Sequence, residues 1–370
     1  MSVNLKNFVD INIKTHVTST ITGSRPTLYL FSAEAPTSGS KTDEISCNVN
    51  TYLTNCAGMT NTIVYLQMYF SNGGLNAVVK PSATLTASAL LPLVKALDNN
   101  YVVVGFVNKP ATSSPSADDT INYSVVKELA TSMAADSTIY GINEKILLSR
   151  TKTVASTDQI ENLAVKYSSV SGAEMTIAAY LTQLNVYVAD SVHDYMFTQE
   201  QITAEDITET DYQTVLTNNM NVDISLVGAI RNCGGNLKDG EDLINKYCLI
   251  ILHQTLTDRL IQLLSQKIKN SAGISKIYSV ISQELANYLT CGYLTTDKVW
   301  TDSDLVISYN SENYTIIEKG TALNDGYLVK ILPYTSLTDA DKAAHKTPPI
   351  YVVLATQYGI RQITINGEVI

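Results

Sequence analysis

The chain has 370 residues, 45% of them hydrophobic and only 16% charged, with a net charge of −10 and a pI near 4.9. Its length exceeds what one hydrophobic core usually serves, so two or three domains are expected. The acidic balance, without any basic cluster, argues against nucleic acid and anionic membranes as partners, and no run reaches the ~18 apolar residues of a membrane span.

At the N-terminus Val9, Ile11 and Ile13 alternate with Asp10, Asn12 and Lys14, the pattern of a half-buried strand. A Thr/Ser-rich stretch ending at Pro26 reads as a linker, so residues 1–26 form an arm and tether. "TLYLF" (27–31) is a buried strand. A helical region is expected between about Ile45 and Ser71, with Val49, Leu53 and Cys56 on one stripe, a break at Gly58, and Ile63, Leu66 and Phe70 beyond it. "YFSNGGLNAVVK" (69–80) closes that region, with Gly73 or Gly74 supplying the left-handed residue that ends a helix and residues 76–80 forming the next strand.

A helix near 86–98, a strand at 101–107, a loop over 109–119, a helix at 122–135 and a strand at 145–150 follow. Helices are expected near 157–167 and 173–184. Strands alternating with helices of this length predict an α/β layer on a largely parallel sheet, spanning residues 27–200.

After residue 200 the pattern turns acidic and helical. The strongest periodicity runs from Asp242 to Lys269, with Asp239, Glu241 and Asp242 at the end where a helix dipole favours negative charge. "KNSAG" (269–273) reads as a loop to a second helix over 274–289, which exits at Gly292 and packs antiparallel to the first. Strands are expected at 325–333, 349–356 and 359–370, with Thr338 and Asp341 opening a short helix in capping-box style. The fold class is therefore α/β and α+β: an α/β middle layer, a C-terminal domain over 201–357 with a long helix pair and a β-sheet, and terminal strand arms at 1–26 and 358–370.

Tests for chemistry yield no catalytic residues, no metal ligand set and no cofactor. "PTSGSKTD" (36–43) lacks the glycine spacing of a phosphate loop. Asp190, His193 and Asp194 could share a helix face, but no second histidine lies near them. "NCGGNLKDGED" (232–242) lacks calcium-loop spacing and reads as a glycine turn with a helix cap. Cys47, Cys56, Cys233, Cys248 and Cys291 show neither CxxC spacing nor a disulfide rhythm, which predicts free, mostly buried thiols. The first residues carry no signal-peptide pattern, which predicts a protein made in a cytoplasm.

The turn Tyr69, Phe70, Asn72, Gly73, Gly74, followed by Val78 and Val79, resembles the aromatic–Asn-Gly-Gly turn and valine strand of contractile tail sheath proteins from bacteriophages and related injection machines. The later "GISKIYSVISQELANYLTCGYL", the DAD-K segment at 339–342 and "PIYVVLATQYGIRQITINGEV" are similar to that family in the same order, whereas residues 150–230 carry no residue-level likeness. The resemblance implies a non-enzymatic subunit that stacks with copies of itself in hexameric rings as a helical sheath. Its other partners would be a tail tube protein, a baseplate and a tail terminator. It would assemble in a bacterial host cytoplasm, reside in the virion tail and contract to drive the tube through the host envelope. It also implies that Val9, Ile11, Ile13, Ile360, Ile363 and Ile365 add strands to neighbouring subunits. Burying three such side chains does not exceed the cost of ordering an eight-residue arm, so an arm needs a waiting sheet edge. A non-contractile tail or other virion structural protein, and an α/β enzyme with an unrecognised site, are the alternative readings.

Overall fold

A computed structural model describes residues 27–38, 42–98, 100–107, 115–136, 144–153, 158–264 and 270–357. The sequence-predicted arms, including Val9, Ile11, Ile13, Ile360, Ile363 and Ile365, lie outside the described residues.

The body opens with strand β1 (Leu28–Ser32), buried along its whole length. Leu28 and Leu30 face one core while Tyr29 and Phe31 face the other, so the strand is apolar on both sides because helices cover both sides. β2 (Ile45–Asn48) pairs antiparallel with β3 (Asn76–Pro81), which pairs parallel with β1. Between them lie a single helical turn, α1 (Tyr52–Asn55), and α2 (Thr60–Ser71). The continuous helical stripe expected from Ile45 is thus corrected: residues 45–48 are a strand, Val49 and Leu53 are 58% and 57% exposed, and only the part after Gly58 keeps its helical face.

α3 (Ala87–Lys95), β4 (Val103–Val107), α4 (Pro115–Ala134) and β5 (Ile146–Thr151) continue the alternation. α4 takes in residues expected as loop, and Pro115 stands at its first position, where its missing N–H costs nothing. The helix expected near 157–167 is instead β6 (Leu163–Tyr167), a central strand buried at every residue. Its apolar run is too short for periodicity to distinguish a strand from a buried helix. α5 (Met175–Gln183) and α6 (Glu209–Thr217) are followed by a hairpin of β7 (Asn221–Leu226) and β8 (Ala229–Cys233), turning on Val227 and Gly228, both left-handed. These eight strands form one sheet in the order β2-β3-β1-β4-β5-β6-β7-β8, parallel except at its two edges. Residue 200, where composition suggests a boundary, therefore lies between two strands of one sheet.

One sheet face carries α3, α4 and α6. The other shares a larger core with α2, α5, α7 (Leu243–Leu264) and α8 (Asn270–Thr290). Residues 270–273, expected as loop, are helical. α7 is buried almost all the way round over its first four turns, including Lys246, His253, Gln254, Thr255 and Thr257. The helix reaches solvent fully only at its end, where Gln262 and Leu264 are exposed.

The C-terminal lobe is thinner. β9 (Leu305–Tyr309) and β10 (Glu312–Ile317) form a hairpin, and β11 (Tyr327–Ile331) pairs antiparallel with β12 (Ile350–Leu354). α9 (Asp339–Ala343) starts as the sequence predicts: the Asp341 N–H donates to Thr338 Oγ1 at 3.1 Å and the Thr338 hydroxyl donates back to the Asp341 carboxylate at 2.7 Å.

Candidate functional site

In an open parallel sheet, ligands bind where the strand order reverses, outside the carboxyl ends of the strands. Here that point lies between β1 and β4, whose chain neighbours depart in opposite directions. The protein fills it with its own groups. The Ala33 N–H donates to the Val107 carbonyl at 2.9 Å, and the Ser32 and Thr62 hydroxyls lie 2.7 Å apart. The start of α2, where a phosphate would sit, is occupied by Glu34: one oxygen accepts from the Asn61 N–H at 3.1 Å, the other from the Thr62 N–H and hydroxyl at 2.8 Å each.

The aromatic–Asn-Gly-Gly turn is a structural joint. Gly73 (φ +92°) is the left-handed residue, and its N–H donates to the Phe70 carbonyl at 3.1 Å. Gly74 is glycine for a different reason: a Cβ there would lie 2.4 Å from the ring of Tyr69. Tyr69 is fully buried, its hydroxyl donating to the Asn76 carbonyl at 3.0 Å and lying 2.8 Å from Thr182 Oγ1. Burial raises its pKa to about 12. Asn72 reaches further, accepting from the Gln201 N–H at 2.7 Å through its side chain and from Gln183 Nε2 at 3.0 Å through its carbonyl. Phe70 stacks obliquely on Tyr52, with ring centroids 5.2 Å apart. One turn thereby ties α2, β3, α5 and the segment before α6.

The other sequence candidates separate. Asp190, His193 and Asp194 lie on an irregular segment, not a helix. His193 and Asp194 line a small cavity of about 90 Å³ with Asp242, Asn245 and Tyr293. Among the described residues no cluster of three or more His, Cys, Asp or Glu could hold a metal ion. In the 232–242 loop, Asn221 Oδ1 accepts from the Gly235 N–H at 2.7 Å, and Asp242 caps α7 by accepting from the Asn245 N–H at 2.8 Å. In the 36–43 stretch, Thr37 is fixed to the Ala57 carbonyl by its N–H, and residues 39–41 lie outside the described residues. All five cysteines are buried and unbridged.

Chemistry that sequence spacing could not show is concentrated in buried ion clusters. Lys166 on β6 is fully buried and donates to Glu200 at 2.9 Å, the Tyr195 hydroxyl at 3.0 Å and Asn232 at 3.1 Å, with Asp223 of β7 at 2.8 Å. Burial pulls its pKa down, but the two carboxylates outweigh that and hold the ammonium above its ordinary value. Glu200 also accepts from Tyr195 at 2.5 Å and is held low against its burial by Lys166. Asp223 is pushed up to about 7, by burial above all. A second cluster joins α7 to α8: Arg259 meets the buried Glu284 at 2.7 Å, and Glu284 accepts from Tyr187 at 3.0 Å. These residues come from distant segments, are closed to solvent or pinned to partners, and cross-link the body.

Among the described residues, an unpaired strand edge lies in the lobe. A cleft of about 460 Å³ runs between α8 and β11, lined by Ile274, Ser275, Tyr278 and Ser279 on one side and by the consecutive Val329, Lys330 and Ile331 on the other. Consecutive strand residues can line a cleft together only along an edge, here the edge of β11 opposite β12.

No protein-family model matches the sequence, and no curated protein matches it. Solved structures do. The chain matches the anti-feeding prophage helical sheath in its contracted state over 98% of each chain, with a TM-score of 0.60 and 13% identity. A chain of the anti-feeding prophage baseplate in its contracted state matches with a TM-score of 0.61 and 14% identity, over 100% of this chain and 99% of that one. Sheath tail proteins of Desulfitobacterium hafniense and Listeria innocua give a TM-score of 0.51 at 9% identity, covering 80% and 84% of this chain and 94% and 91% of theirs. At such identities the likeness is one of fold, and the fold is that of contractile sheath proteins, as the sequence resemblance implied.

Proposed function

We propose that the chain is a structural subunit of a contractile sheath, polymerising with copies of itself in stacked hexameric rings around a tail tube and ending on a baseplate and a terminator. The observation that carries this reading is the end-to-end match of 98% of both chains to a sheath subunit. The self-filled switch point supports a role without substrate, because the position an α/β enzyme would use for a phosphate holds Glu34. The strands around Val9, Ile11 and Ile13, and around Ile360, Ile363 and Ile365, then add to the open edges of the β11–β12 pair in neighbouring copies. Such contacts are heterologous and propagate as a ring or helix. Contraction draws on energy stored during assembly, with the extended form kinetically trapped.

Electron microscopy of the purified protein tests the reading: cylinders of stacked rings are expected, thin tubes would favour a non-contractile tail protein, and a persistent monomer at high concentration would count against both. Removing residues 1–14 or 358–370 should leave the circular dichroism spectrum of the body intact while abolishing cylinders. Unimpaired cylinders would show that the arms carry no linkage.

A further inference from the structure

We propose that Cys47 and Cys56 form a peroxide-responsive site, in which a small hydroperoxide oxidises Cys47 and Cys56 resolves it to an intramolecular disulfide. Their sulfurs lie 3.5 Å apart in the described fold, so forming a bond of about 2.05 Å requires an approach of only ~1.5 Å. Both residues belong to one local unit. Cys47 is on β2, the antiparallel edge of the eight-stranded sheet, and Cys56 caps α1, with its N–H on the Tyr52 carbonyl at 3.0 Å. α1 is one short turn whose four residues are not fully buried, with only Tyr52 packed against the core, so closing the bond asks for a small local shift.

The two sulfurs are not equivalent. Cys47 keeps 4% exposure next to the exposed Ser46 on a strand that has no outer partner among the described residues, whereas Cys56 is fully buried. Only a small oxidant reaches such a sulfur, which favours a hydroperoxide over a bulky disulfide. The contact between the two sulfurs lowers the pKa of Cys47 against its burial, and the same contact, with burial, raises that of Cys56. Its greater exposure, with this direction of shift, makes Cys47 the nucleophile of the pair.

In the first step the Cys47 thiolate attacks one peroxide oxygen. The O–O bond breaks, a sulfenic acid forms and hydroxide leaves. In the second, Cys56 attacks the Cys47 sulfur, the S–O bond breaks and water departs with the Cys56 proton. Two electrons pass from the sulfur pair to the peroxide oxygens, and two thiols plus one hydrogen peroxide give one disulfide and two waters. The new bond pins edge strand β2 to the joint preceding α2. This inference is independent of the sheath reading.

The test is hydrogen peroxide titration of the full chain, followed by alkylation and mass spectrometry. The expected result is the loss of two hydrogens on the tryptic peptide 42–95, which holds Cys47 and Cys56 alone among the five cysteines, with alkylated thiols falling from five to three. After oxidation the β2 amides should exchange about ten- to a hundredfold more slowly, as a short closed loop implies. Cys56→Ser should stop at a sulfenic acid on Cys47 that dimedone traps, and Cys47→Ser should leave Cys56 unoxidised. The proposal is overturned if all five thiols stay alkylatable until the chain unfolds, if the pairing involves Cys233, Cys248 or Cys291, or if Cys47→Ser still oxidises Cys56. The wild-type mass readout decides the matter alone should either variant fail to fold.

Discussion

The body and the C-terminal lobe solve the same problem in opposite ways. β1, β4, β5 and β6 are buried at every residue, whereas none of β9, β10, β11 and β12 is buried along its length. In the body, charges are paired inside the core and the helices cover both sheet faces. In the lobe, Leu305 and Val306 remain 38% and 49% exposed on a two-stranded ribbon, an arrangement with marginal stability by itself. Among the described residues, the body is closed on both sheet faces, whereas the lobe keeps two separate two-stranded ribbons.

Five changes would break or sharpen that contrast. The largest effect is expected from Leu252→Asp in α7, at a site with no exposure. An unpaired buried carboxylate there should exhaust most of a stability of ~5–15 kcal/mol. A soluble protein with a native circular dichroism spectrum would show that α7 is less enclosed than described. Next, Lys166→Met strands Glu200 and Asp223 without their cation. A loss of about 3–5 kcal/mol is expected in denaturant melts, and a neutral result would mean the cluster is hydrated.

The third change is pH, and its sign differs between groups. Asp223 and Glu144 are each pushed up to about 7 by burial, so the folded chain keeps protons that the unfolded chain releases. Their contribution is complete below the ordinary carboxylate range near pH 4 and is lost as pH rises toward about 7. In the lobe, Asp341 is held below its ordinary value by hydrogen bonds from Lys346 and Thr338, so its contribution is present above that value and lost on acidification. Thermal melts between pH 4 and 7 should show falling stability, and Asp223→Asn should flatten the slope; an unchanged slope would assign it elsewhere.

Fourth, Gly74→Ala pushes a methyl group into the Tyr69 ring at 2.4 Å and should cost about 1–3 kcal/mol, unless the ring can move at little cost. The smallest effect belongs to the lobe: Val306→Asp should change monomer stability by no more than about 0.5 kcal/mol. If the exposed ribbon is an interface, the same variant should lower the yield of cylinders, and equal yields would remove β9 from the contact surface.

What the sequence revealed follows the same division. Strands apolar on both faces, such as 27–31 and 101–107, were legible because a parallel sheet leaves no polar alternation to confuse them. The α7–α8 pair was legible from its period. β2 was hidden because Ile45, Val49 and Leu53 mimic a helical stripe whose last two members are in fact solvent-exposed. β9 and β10 escaped notice because their turn, Asn310–Ser311, lacks the glycine that usually marks a hairpin, although both residues are left-handed. The Asn-Gly-Gly turn was visible, but its purpose was not. Asn72 is fixed by Gln183 and Gln201, more than a hundred residues away, and no local pattern encodes such partners.

The near-complete enclosure of α7 has a consequence for synthesis on the ribosome. The helices α2 and α5 that share its core precede it in the chain, and its own partner α8 follows it. At about 5–20 residues per second, roughly 3–11 s separate the emergence of β8 from that of the end of α8. During that interval the nascent protein carries an eight-stranded sheet whose layer of α2 and α5 still lacks its outer cover. A chaperone that holds nascent chains would find its strongest substrate in that window, and stalled chains ending between residues 234 and 290 should be the most prone to aggregate.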